Sequence, residues 1–133
     1  MRRSAKSGWR SAARARTQGV VAAAGAREIV LGSLVIAGAT VRYVQDRDPI
    51  SLVAMGTPGG NDHDEDAICA AYLELLLLGG GPVRPEIALA PPDEWPDWFP
   101  RRDAELALDV DRFDFALPVA REDGLFVARP VRC

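Results

Sequence analysis

The sequence predicts a layered α/β fold, and three observations predict it. Ile50 to Met55 is a six-residue apolar run centred on Leu52-Val53, the clearest strand in the chain. A glycine-bearing loop follows at residues 56–61. An acidic stretch, Asp62 to Asp66, then opens the apolar, helix-length segment Ala67 to Leu78. A shorter strand and helix, Glu28 to Leu31 and Leu34 to Val44, stand before this pair, so strands and helices alternate as in a βαβ sheet. Residues 17–131 are therefore expected to form one layered unit, with Ile50 to Met55 as its central buried strand.

Each element has its own signal. Gly32-Ser33 is a turn whose serine can cap the segment after it. Leu34, Ala37, Val41 and Val44 recur at helical spacing, with Arg42 and Gln45 on the opposite face. Asp48-Pro49 closes that helix, because a proline disfavours the α conformation in the residue before it. Asp62 and Glu65 stand in the spacing of a capping box, which starts the next helix near Asp62. Gly79-Gly80-Gly81-Pro82 stops it. Residues 80–100 are rich in proline, carry Trp95 and Trp98, and read as a loop. A helix resumes over Arg101 to Leu108. Asp114 to Val119, a polar turn through Asp123-Gly124, and Leu125 to Val131 read as a C-terminal hairpin.

Composition bounds the class. With 133 residues, 48% hydrophobic and 26% charged, the chain is one globular domain. Residues 1–16 hold six basic side chains and no acidic one, and are expected to be a disordered basic leader before a domain at 17–133. The rest holds ten basic and nineteen acidic side chains, a balance that repels a phosphate backbone and argues against nucleic acid. No apolar run reaches the roughly 20 residues of a membrane span. Cys69 and Cys133 are the only cysteines, the pattern of reduced thiols in a cytoplasm rather than a disulfide framework.

Several segments carry a resemblance. Thr17 to Ala26, then Gly32-Ser33-Leu34-Val35 with Ala37, Leu52 to Gly56, Glu65-Asp66 with Cys69-Ala70, and Asp109 to Ala116 resemble, in order, the C-terminal half of the 2-phosphosulfolactate phosphatases. The resemblance implies a partial α/β/α sandwich. It also implies a magnesium-dependent phosphomonoesterase that converts 2-phosphosulfolactate to sulfolactate on the route to coenzyme M. The expected partner is thus a small anionic phosphorylated substrate, and a homo-oligomer is compatible with this reading. The family's N-terminal half has no counterpart here, so the chain alone is expected to be inactive. At the family's Asn-Gly-Thr loop the chain offers Ala15-Arg16-Thr17, and Ile36 stands where an asparagine is common.

Phosphate-ester hydrolysis needs a cation, donors for the phosphoryl oxygens and a positioned nucleophile. Asp62, Asp64, Glu65 and Asp66 can supply magnesium carboxylates, with Glu65 and Asp66 preferred through the resemblance. Acidic residues at a helix start are equally favoured by its dipole. Thr17 and Ser33 are the candidate substrate-binding donors, or simply caps. His63, the single histidine, reads as incidental, and Cys69 as a structural thiol rather than a nucleophile. Asp109, Asp111, Arg112 and Asp114 read as an exposed ion-pair network. Trp95 and Trp98 are either a lid or packing at the core edge.

Overall fold

β-Branched and aliphatic Ile29, Val30 and Leu31 form the first strand, β1 (Ile29–Leu31), between a helical segment and a glycine-serine turn. The computed structural model describes residues 18–56, 65–81 and 100–133. Residues 18–22 are helical (α1) and tighten into a 3₁₀ turn at Ala23–Gly25. After β1 comes a second 3₁₀ turn, Leu34–Ile36, which runs directly into α2 (Ala37–Val44). Then follow α3 (Glu65–Leu77), α4 (Arg101–Ala107), β2 (Leu117–Glu122) and β3 (Leu125–Ala128). Among these residues no helix is long and apolar enough to cross a membrane.

The strands form one antiparallel sheet of order β1-β2-β3. Ile29 pairs with Val119 and Leu31 with Leu117, while Val119 faces Ala128 and Glu122 faces Leu125. The hairpin closes through Asp123 (φ 49°) and Gly124 (φ 80°). Two successive positive φ values define the two-residue turn whose twist matches that of the strands. Pro118, in the central strand, lacks an N–H. Its carbonyl still accepts from Arg129 at 3.4 Å, but the reciprocal bond is missing and the ladder of β3 stops at Ala128. Pairing resumes two residues on as a bridge between Ala116 and Val131.

Helix α3 ends in a Schellman motif. The Gly80 amide donates to Leu75 and the Gly79 amide to Leu76, with Gly79 at φ 82°. The core lies between α2 and α3: Leu34, Ala37, Tyr72 and Leu73 are buried together, and Val41, Cys69, Leu76, Leu108 and Val110 pack around them. The apolar stripe expected over Leu34 to Val44 thus faces inward, and Arg42 and Gln45 are exposed.

Two expectations are corrected. Ile50 to Met55 is neither a strand nor buried; Leu52 is 38% and Val53 71% exposed. Its composition is that of a strand, but a strand also needs a neighbour for its amides and carbonyls. Among the described residues no backbone hydrogen bond reaches residues 50–55. The strands that do form are paired antiparallel, so the described sheet is not the parallel one that βαβ alternation implies. The fold is mixed α and β. The expected start of α3 at Asp62 and the proline-rich loop lie outside the described residues.

Candidate functional site

Glu65 and Asp66 open the first turn of α3. Glu65 is exposed and Asp66 half-buried. One turn further along, burial pushes the Cys69 thiol up to about 11, and the nearby Asp66 carboxylate adds to the effect. A thiol so placed stays protonated at neutral pH and is a poor nucleophile. Among the described residues no three His, Cys, Asp or Glu side chains gather as a metal site. Magnesium commonly takes only one or two carboxylates beside waters and substrate phosphate, a demand that an adjacent Glu and Asp can meet.

Ser33 occupies the turn between β1 and the 3₁₀ segment in an extended conformation. Its carbonyl accepts from Ile36 at 3.2 Å, while its hydroxyl makes no capping bond. Its neighbour Gly32 lies so close to the middle of α3 that an added Cβ would come 3.1 Å from Leu73 Cδ1. Leu73 stands seven residues beyond Asp66, roughly 10 Å along the helix. The serine turn and the two carboxylates are therefore set against the same helix, two turns apart. Thr17, Asp62, His63, Asp64, Trp95 and Trp98 lie outside the described residues.

The block Asp109 to Asp114 does more than form surface ion pairs. Asp111 sits in the left-handed region (φ 57°), donates its amide to Leu34 at 3.0 Å and accepts the Gly38 amide on Oδ1 at 2.6 Å. Ile36, at the N-cap of α2, has no side-chain oxygen to offer, so the cap arrives from 73 residues away. Phe113 donates to Val35 at 2.9 Å, and Arg42 pairs with Asp114. Of the ion-pair network expected among Asp109, Asp111, Arg112 and Asp114, the described ion pair within the block is Arg112–Asp109 at 2.7 Å. Sequence reading missed the cap. Its one signal was Gly38 in a helix's first turn, where a Cβ would stand 3.1 Å from Asp111 Oδ1.

A second cluster ties β1 to the end of α2. Glu28 accepts from the Tyr43 hydroxyl at 2.6 Å and from Arg47 Nε at 3.2 Å, and the Arg47 guanidinium lies 4.5 Å from the Tyr43 ring centre. The Tyr43 hydrogen bond holds the Glu28 carboxyl below its ordinary range, with Arg47 adding to it. The same bond pushes the tyrosine up.

Beside this cluster runs an open groove. One wall is Ile50, Leu52 and Ala54, alternate residues of one segment. The other is Ala67, Ala70, Ala71, Glu74, Leu77 and Leu78, one face of α3 at helical spacing. Arg47 and Asp48 stand at its rim. No known family model, curated protein or solved structure matches this chain.

Proposed function

We propose that the chain contributes part of the site of a magnesium-dependent phosphomonoester hydrolase of the 2-phosphosulfolactate phosphatase kind. The reaction is hydrolysis of 2-phospho-3-sulfolactate to 3-sulfolactate and phosphate: water adds to phosphorus, the P–O ester bond breaks, and the proton ends on the released hydroxyl. The observation that carries this reading is the pair Glu65 and Asp66 in the first turn of α3, with the Ser33 hydroxyl uncommitted to capping in the turn whose Gly32 lies against Leu73 of the same helix. Bound magnesium would neutralise phosphoryl charge there. Glu65 and Asp66 would hold it, and Ser33 and Thr17 would donate to phosphoryl oxygens. The larger architecture in this reading is an α/β/α sandwich of which this chain supplies one part.

A second reading, a non-catalytic interaction module of the same fold, is favoured by the apolar surface left open. No residue of the three strands is fully buried, and Val53, Leu78 and Leu125 are 71%, 80% and 67% exposed. One experiment separates the two. The chain by itself is expected to turn over 2-phosphosulfolactate no faster than buffer. Joined behind the N-terminal half of an active phosphatase of this kind, it is expected to give magnesium-dependent turnover. Glu65→Ala or Asp66→Ala in that joined chain should lower turnover by about 100-fold or more, since lost electrostatic stabilisation costs factors of that order. A folded but inactive joined chain would favour the interaction module.

A further inference from the structure

The chain divides its charge along its length. Residues 1–16 carry six basic side chains and no acidic one, whereas residues 48–83 carry six acidic side chains and no Lys or Arg. Both walls of the groove come from that acidic stretch, with Asp48 and Glu74 among its lining. Arg47, at the rim, does not balance them, because Glu28 and the Tyr43 carbonyl already hold it. The basic segment also ends beside the groove. Gly19, at the start of α1, lies so close to Met55 that an added Cβ would overlap the methionine's sulfur and methyl, and Met55 directly follows Ala54 of the groove wall. Reach is ample: residues 1–16 extend about 24 Å even as a helix, and the wall from Ile50 to Ala54 is about 13 Å long when extended.

We propose that residues 1–16 dock within their own chain into the groove between residues 50–54 and α3. Ala5, Trp9, Ala12 and Ala13 recur at helical spacing, and Trp9 is the segment's one aromatic side chain. A segment so charged builds no core of its own, but it orders against a surface that offers apolar area and the opposite charge. The groove offers both. On α3 the small Ala67, Ala70 and Ala71 leave a trough that takes the Trp9 ring, while Asp48 and Glu74 meet the arginines around it.

This docking goes beyond the phosphatase reading and is independent of it, because its readout is protease access rather than turnover. Trypsin at low ionic strength should cut the full chain after Lys6, Arg10 and Arg14 at least tenfold more slowly than it cuts a synthetic peptide of residues 1–16. At about 1 M salt, where charges are screened beyond about 3 Å, that protection should shrink. Ala71→Arg, which fills the trough from an exposed position, and Glu74→Arg should each speed cleavage by at least tenfold. Trp9→Ala should do the same with the groove untouched, so the test stands even where a groove variant misfolds. Glu105→Arg, an equal change of charge at an exposed position of α4, should leave the protection intact. A wild-type segment cut at the peptide's rate, protection that survives Trp9→Ala and both groove substitutions, or protection lost equally in Glu105→Arg would each overturn the proposal. So would protection that grows with chain concentration, the mark of docking onto a second copy.

Discussion

Replacing Asp111 tests how an eight-residue helix is held in place. A helix as short as α2 has little stability of its own, so it depends on its cap and on packing. Asp111→Ala removes the acceptor for the Gly38 amide, worth about 1 kcal/mol for a lost N-cap. It also leaves alanine in the left-handed region at φ 57°, at a further cost of about 1 kcal/mol. The expected total is about 2 kcal/mol, a fall of about 1 M in the urea midpoint. Asp111→Gly loses the acceptor but not the backbone ease, and should cost about 1 kcal/mol. Asp111→Asn keeps an oxygen and tolerates the conformation, and should cost only about 0.5 kcal/mol for the lost charge. Gly38→Ala extends the series. Alanine gains about 1 kcal/mol over glycine in a helix, but here its Cβ would crowd the Asp111 oxygens at 3.1 and 3.3 Å. It should therefore stabilise the Asp111→Gly background and not the wild type. Urea unfolding followed by far-UV circular dichroism reads all of these. If the three Asp111 variants fall within 0.5 kcal/mol of wild type, or Gly38→Ala acts equally in both backgrounds, the long-range cap does not hold the helix.

Acidification should weaken the fold through Glu28: its carboxyl is lowered in the folded chain, so its contribution is full above the ordinary value of 4.5 and is lost as pH falls through the lowered one. Tyr43→Phe should flatten that limb of the stability profile, and an unchanged slope would count against the Tyr43–Glu28 bond. At the alkaline end Tyr43, raised above its ordinary 10.0, contributes stability below that value and loses it as pH rises through the folded one. Thiol titration at pH 8 should find one fast cysteine, the exposed Cys133, and a second only on unfolding, because burial pushes Cys69 up to about 11. Two fast thiols would show that α3 is not packed as described.

Local chemistry was legible in the sequence wherever one segment decides its own structure. The stripe of Leu34, Ala37, Val41 and Val44 marked the inner face of the 3₁₀ turn and α2. Triple glycine marked the end of α3, and Asp123-Gly124 marked the hairpin, because each depends on residues within one or two turns of itself. Glu65 and Asp66 lie in the first described turn of α3, inside the helix that the sequence expects to start near Asp62. What needed the tertiary structure was every pairing over distance. Strand composition at Ile50 to Met55 could not reveal that no described neighbour offers its backbone a ladder, since that depends on which segments meet rather than on the run itself. Nor could the acidic block near residue 111 reveal its duty as a cap. The bond from Gly38 to Asp111 spans 73 residues, and only the folded chain places a left-handed aspartate over an uncapped helix.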